Sequence, residues 1–262
     1  MKRIAIKIAY MGKGFYGSQR QPGLRTVESE VTKAIEDVCN NSIDDVFLRF
    51  ASRTDKGVNA TGNVIAFYTD FKDPVALLKA LNAVSWGVFY HSYALVPNDF
   101  KIRTAHSRTY RYVMPAEDID IERARSCASL FVGEHDFSRF CIYDGRETLG
   151  LIRKSEITED GDYLWYDCSG RAFLWNQVRR MASAIISVGR GEAENEDVLR
   201  ALKGEDRCFG LARADGLTLW DIEYKDTEFI VPAKAVFNKA MRKELYLNKI
   251  RDSFFTSILN IR

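Results

Sequence analysis

Lys2-Arg3-Ile4-Ala5-Ile6-Lys7-Ile8-Ala9-Tyr10 alternates polar and apolar side chains, as a strand buried on one face should. Working outward from it, Met11 to Arg25 reads as a loop, because four glycines and Pro22 interrupt any regular period. From Thr26 onward, Val27, Val31, Ala34, Ile35 and Val38 fall on one helical face, with Thr26 and Ser29 available as caps. The pattern then predicts a short strand at Val46 to Ala51, a glycine-bearing loop, and a longer strand at Asn63 to Thr69. Asp73-Pro74 supplies the cap and first-turn proline of a helix over Pro74 to Ala83, and Tyr90 to Val96 closes as a strand. The order β-α-β-β-α-β is that of a ferredoxin-like unit.

The second half repeats the order with longer decoration. Strands are expected at Thr109 to Met114, Leu151 to Thr158, Tyr163 to Ser169 and Leu217 to Tyr224, and helices at Ile121 to Phe131 and Trp175 to Val188. No Pro, Gly or Ser linker separates the halves, so the two sheets are expected to join. The expected class is α+β: two ferredoxin-like (RRM-like) halves, 1–103 and 104–225, forming a continuous, mostly antiparallel sheet with a basic central cleft. A helical tail, 226–262, follows, with Phe237, Met241, Leu245, Phe254 and Ile258 at roughly helical spacing to pack on the body or on a second copy.

Composition excludes several classes. At 262 residues, 46% apolar and 28% charged, the chain is globular rather than disordered or low-complexity, and long enough to bury a sizeable core. Its five cysteines are odd in number and contain no CxxC, which argues against a disulfide framework or cysteine zinc site and for a reducing, cytoplasmic setting. Lys7 breaks the apolar run at the N-terminus before it reaches the length of a signal peptide. Ala80 to Asn98 lacks Asp, Glu, Lys and Arg, yet Asn82, Ser85, Gly87, His91 and Pro97 punctuate it, so no membrane span is expected. His91, His106 and His135 lack ligand spacing, and no metal site is expected.

The net charge of +2 says little about partners, but its distribution says more. Three stretches carry only basic charge: Met1 to Val27 (Lys2, Arg3, Lys7, Lys13, Arg20, Arg25), Lys101 to Val113 (Lys101, Arg103, Arg108, Arg111) and Arg171 to Gly191 (Arg171, Arg179, Arg180, Arg190). Phe15, Tyr16, Tyr110, Tyr112, Phe173 and Trp175 interleave them. Converging in space, such segments would neutralise phosphates while flat rings stack on unpaired bases.

Ala51-Ser52-Arg53-Thr54-Asp55-Lys56-Gly57-Val58-Asn59-Ala60 is a polar loop between two apolar strands, the kind of place where sites sit. Asp55 has Arg53 and Lys56 as neighbours, and an ionised carboxylate with no acid partner suits a nucleophile better than a general acid. Taken alone, such a triplet is more often an Arg53 to Asp55 turn bridge with Gly57 at positive φ.

This loop resembles the RTDxGVxA signature of the TruA family of tRNA pseudouridine synthases, in its archaeal form. Phe15-Tyr16-Gly17-Ser18-Gln19-Arg20-Gln21 resembles the family's FYGWQRQ loop, and Ser107-Arg108-Thr109-Tyr110-Arg111-Tyr112 its RTYRY strand. Phe173 to Met181 followed by Val188-Gly189-Arg190-Gly191 is similar to FLRHMVRR and VGRG, and Gly216-Leu217-Thr218-Leu219 to the closing GLYL strand. The likeness runs from Lys2 to about Tyr224. It implies that Asp55 is the essential aspartate, that Tyr110 stacks on the target uracil and assists deprotonation, and that Arg53 holds the flipped nucleotide. Arg179 would pair with Asp55, and Leu217 would wall the base pocket. Arg20, Gln21, Arg108, Arg111 and Arg180, in the matching and basic segments, are the candidate RNA contacts.

The implied reaction turns uridine into pseudouridine at positions 38, 39 and 40 of the tRNA anticodon stem-loop, with no cofactor. In line with that, there is no GxxxxGK[ST] and no HxE with PCxxC. The resemblance also implies a homodimer. The carboxylate can attack C1′ or C6, or act as a base at C2′, and the sequence does not choose among these. Ser18, Lys56, Asn59 and Trp175-Asn176-Gln177 depart from the family pattern, which bears on target position more than on reaction type. Two other readings stay open here: a catalytically silent RNA-binding protein, and a pseudouridine synthase acting on another RNA.

Overall fold

In the computed structural model, residues 1–39, 42–232, 242, 245–250 and 253 are described. Strand β1 (Lys2–Tyr10) buries Ile4, Ile6, Ile8 and Tyr10, the side chains its alternation assigns to one face. After a 3-10 turn at Gly12–Gly14, helix α1 (Val27–Cys39) buries Val27, Val31, Ala34 and Ile35. Thr26 and Ser29 cap it reciprocally, each hydroxyl accepting from the other's backbone N–H at 2.9 and 3.1 Å. Strands β2 (Arg49–Phe50) and β3 (Asn59–Thr69), helix α3 (Pro74–Val84) and strand β4 (Val88–Leu95) complete the first half. Asp73 caps α3 by accepting from the Val75 N–H, and Pro74 occupies its first turn.

Between α1 and β2 the expected strand at Val46 to Ala51 is mostly replaced. Ile43–Val46 forms a one-turn helix, α2, started by the Ser42 side chain accepting from the Asp44 N–H, with two aspartates in its first turn. Phe47, at φ +52°, ends it, and only Arg49 and Phe50 remain as strand.

The second half runs β5 (Ser107–Pro115), α4 (Ile121–Ser129), β6 (Gly133–Asp136), β7 (Leu149–Asp160), β8 (Tyr163–Gly170), α5 (Gln177–Gly189), α6 (Asn195–Leu202) and β9 (Leu217–Glu223). Neither β6 nor α6 is expected from the sequence pattern. The short α6 rests on a capping box between Glu194 and Asp197. The tail expected over Pro232 to Ile258 lies largely outside the described residues; Phe237, Met241, Phe254 and Ile258 are among those outside, and Leu245 is exposed.

The strands form one continuous sheet in the order β4-β1-β3-β9-β5-β8-β7-β6, with β2 on β3. Every pairing is antiparallel except β3 with β9, which is parallel over two pairs, Asn59 with Thr218 and Ala60 with Leu219. This seam is tight. The Thr61 hydroxyl donates to the Trp220 carbonyl at 2.7 Å, and a Cβ on Gly62 would stand 2.6 Å from that same oxygen. Two apolar cores flank the seam and exchange residues across it: Leu219 and Ile222 of β9 pack in the first, Val58 in the second, and Tyr110 touches both. Among the described residues no helix is long and apolar enough to cross a membrane.

Candidate active site

Asp55 lies half-buried on the loop from Ala51 to Val58, between β2 and β3 at the seam. The Val58 N–H donates to the Asp55 carbonyl at 3.1 Å, closing a four-residue turn whose third residue, Gly57, has φ +87°. A type II turn requires that left-handed value there, and glycine takes it without steric cost. Gly12 packs beneath so closely that a Cβ on it would stand 2.4 Å from Gly57 C and from Val58 O. The turn therefore rests on bare backbone, and the Asn59 side chain bridges it outward, accepting from the Gly12 N–H and donating to the Asp215 carbonyl, both at 2.9 Å.

Four side chains strap the loop from the other side. Ser18, buried, donates its N–H to the Thr54 carbonyl at 2.9 Å, and its Oγ accepts from the Thr54 N–H at 2.7 Å. The Thr54 and Tyr10 hydroxyls meet at 2.9 Å. Asn63 donates to the Tyr10 hydroxyl and to the Ser52 carbonyl at 3.1 and 3.0 Å. Arg108, 9% exposed, donates to Ser52 Oγ at 2.9 Å, to the carbonyls of Ala51 and Arg103 at 3.3 and 2.9 Å, and to the Arg171 carbonyl. No carboxylate among the described residues pairs with it. Arg108 thus turns inward, as a strap on the Asp55 loop.

Tyr110 stands on β5 between Cys168 of β8 and Leu219 of β9, its ring edge-on to Phe173 at 5.0 Å. Burial pushes its hydroxyl up to about 12; the Arg108 cation opposes and the Asp55 charge adds to the rise, so the phenol is neutral near pH 7. Arg179, in the first turn of α5, has its pKa lowered by burial against the opposing pull of the Asp55 carboxylate. Its Nε donates to the Ala212 carbonyl at 2.8 Å and its Nη1 to Asn176 Oδ1 at 3.2 Å; it is within electrostatic reach of Asp55 but not at ion-pair distance. Leu217, buried, opens β9 opposite Tyr112.

The structure thus brings Asp55, Tyr110 and Arg179 together from a loop, a strand and a helix. Other candidates lie farther out or face elsewhere. Arg53 is exposed and makes no bridge to Asp55, while Gly57 does take the positive φ. Arg20 and Gln21 sit on an exposed turn, where Gln21 Nε2 donates to the Tyr16 carbonyl at 2.7 Å. Arg111 projects from the sheet face opposite Tyr110, as period two requires. It is held there bidentately by Asp167, at 2.8 Å to each oxygen, between the rings of Trp165 and Trp220 at 4.2 Å each. Arg180 is half-buried beside Cys208. Among the described residues no group of His, Cys, Asp and Glu could hold a metal ion.

A family profile of tRNA pseudouridine synthases matches residues 127–225. Similarity to individual proteins extends much further. The tRNA pseudouridine synthase A of Pyrococcus horikoshii is 41% identical over 247 residues, which cover 92% of this chain and 93% of that protein. Its counterpart from Pyrococcus furiosus is 40% identical, covering 87% of this chain and 85% of its own, and that from Thermococcus kodakarensis 38%, covering 93% and 92%. The chain belongs to the tRNA pseudouridine synthase A family.

Ser18 and Asn59, which differ from the motifs that the sequence resembles, have structural roles, since both hold the Asp55 loop. Lys56 places its ammonium over the Tyr16 ring, 4.2 Å from the centroid, and so turns to the Tyr16 segment. Sequence reasoning did not find the Ser18, Tyr10 and Asn63 straps. The available signal was Ser18 standing where the FYGWQRQ loop that this segment resembles has Trp. Ser18→Ala leaves the buried Thr54 N–H without an acceptor and is expected to cost about 1–2 kcal/mol in urea unfolding and to lower kcat. Ser18→Thr keeps the oxygen and should restore both; an alanine variant of wild-type stability and kcat would contradict the strap.

Proposed function

We propose that this chain isomerises uridine to pseudouridine in tRNA, within the anticodon stem-loop at positions 38, 39 and 40, with Asp55 as the catalytic carboxylate. The carrying observation is the half-buried Asp55 turn, clamped at the seam and acting electrostatically on both Tyr110 and Arg179. In this reading the halves, 1–103 and 104–225, are ferredoxin-like units and 226–262 a tail. The strand orders β4-β1-β3-β2 and β9-β5-β8-β7, each with helical crossovers, support the likeness. Exposed Arg20, Arg53 and Lys56 around the Asp55 loop support a basic cleft that receives the RNA.

The chemistry needs one bond broken and one made. The N1–C1′ bond breaks, the uracil turns, C5 joins C1′, the C5 hydrogen leaves as a proton, and N1 takes one up. Nothing is oxidised or reduced overall. A carboxylate fixed on a rigid turn can serve at C1′, at C6 or as a base at C2′. A base paired in a stem must first be extruded, and the neutral ring of Tyr110 with the buried Leu217 offers it a flat, apolar seat. Arg53, exposed beside the loop, would hold the vacated backbone, and Arg179 would complete its pairing with Asp55 when the nucleotide enters.

Incubation with tRNA transcripts carrying 5-tritiated uridine tests the reaction, because forming the C5–C1′ bond releases the label to water. Release with the intact protein supports the reading; RNA binding without release from any tRNA would overturn it. Binding should also be strongly salt-dependent. If about four phosphates are neutralised, raising monovalent salt from about 50 to about 200 mM weakens affinity roughly hundredfold, and a flat response would contradict a basic cleft.

A further inference from the structure

Near Phe173, whose ring meets Tyr110, two large aromatic side chains face solvent. Trp175 is 47% exposed and Tyr143 73%. Their segments are joined by the Ile142 N–H donating to the Trp175 carbonyl at 2.9 Å. Trp175 follows Phe173, whose ring meets Tyr110, by two residues, so the two backbone positions are at most about 7 Å apart. The pair therefore stands next to the place where the target base would be held.

Arg180, within electrostatic reach of Cys141 in the same segment as Tyr143, lacks a counter-anion. Arg180 makes no ion pair among the described residues; its Nε is buried with no hydrogen-bond partner, and its Nη1 reaches only Cys208 Sγ, at 3.9 Å. Such orphaned buried donors are rare and ask for a partner. Helix α5, which carries Arg180 in its first turn, has no acidic residue there, and Asn176 at its N-cap, with φ +63°, supplies no side-chain cap. Arg180 lies next to Arg179 in the first turn of this helix, the positive end of its dipole, where a bound anion is stabilising.

Exposed flat rings and an anion-seeking guanidinium on neighbouring segments match the two parts of a nucleotide, its base and its phosphate. We propose that Tyr143 and Trp175 form a stacking subsite for an unpaired nucleobase flanking the target uridine, with Arg180 on the neighbouring phosphate. The subsite rests on the RNA-modifying reading above and deepens it. It also gives Trp175-Asn176-Gln177, which differ from the Arg-His-Met of the FLRHMVRR segment they resemble, a part in choosing the RNA.

Two measurements test the subsite. Steady-state pseudouridine formation on tRNA transcripts should show KM raised about tenfold in Trp175→Ala with kcat within twofold, restored in Trp175→Phe, and a similar rise in Tyr143→Ala. KM within twofold of wild type in both alanine variants, or a loss confined to kcat, would overturn the proposal. An anticodon stem-loop carrying 2-aminopurine beside the target position supplies a readout without turnover. Its fluorescence should be quenched by wild type and Trp175→Phe but not by Trp175→Ala; equal quenching by all three would overturn the subsite. If the wild type quenches the probe but makes no pseudouridine, the functional reading fails while the subsite stands.

Discussion

Asp55→Ala is expected to lower the rate of pseudouridine formation by at least about 10^4-fold while leaving tRNA affinity within severalfold of wild type. The asymmetry follows from the geometry. Asp55 is half-buried on a turn whose conformation is set by backbone: the Val58 to Asp55 hydrogen bond, the positive φ of Gly57 and the close approach of Gly12. None of these uses its side chain, so alanine should leave the loop, the straps and the surrounding cations in place. What goes is the Asp55 carboxylate, the group proposed to act on the ribose or base. Removing a negative charge from a site that receives phosphates does not weaken binding and can strengthen it slightly. Rates come from single-turnover assays and affinities from filter binding. A variant retaining more than a tenth of the wild-type rate would mean that another group carries the reaction.

The second large effect is expected at Arg108, and it acts through position. Arg108→Ala removes four charge-assisted hydrogen bonds at once, leaving Ser52 Oγ and three carbonyls without their donor in a buried place. Relief from burying an unpaired guanidinium offsets part of this loss. The hydrogen bonds and the cavity outweigh that relief, and a net cost of about 3 kcal/mol in urea unfolding is expected. Because two of the four acceptors are Ser52 and Ala51, the loop carrying Asp55 loosens as well, and a misplacement near 1 Å lowers kcat on the order of 10^2-fold. Arg108→Lys keeps the charge but cannot span acceptors on four residues with donors at one point, so it should recover little of either loss. Wild-type stability and kcat in the alanine variant would show that Arg108 does not hold the loop.

Much of the architecture was legible because it rests on period. The alternation in Lys2 to Tyr10, the helical face from Val27 to Val38 and the Asp73-Pro74 start all appear where local pattern puts them. What was missed follows from tertiary context. The four-residue β6 exists because β7 offers it an edge, and α6 is eight residues whose capping box was overlooked. Val46 joins a one-turn helix because Ser42, Asp44 and Asp45 start one locally.

At the site, the polar loop around Asp55 stood out because polar residues squeezed between apolar strands need a reason. Basic composition was a poorer guide to individual side chains. Arg108, Tyr110 and Tyr112 share one face of β5 and Arg111 the other, which period two alone could have told. That Arg108 would turn to carbonyls, and that Ser18 would clamp Thr54, depends on loops meeting across 36 and 56 residues of chain, beyond the reach of local pattern.

The most direct test maps the product. Unmodified tRNA transcripts are incubated with the intact protein or with Asp55→Ala, treated with carbodiimide, and read by primer extension for stops at pseudouridine. Stops in the anticodon arm at positions 38, 39 or 40 with the intact protein, and none with the variant, are expected. Stops with both proteins, or with neither despite tight binding, would contradict the assignment of Asp55 and of the reaction.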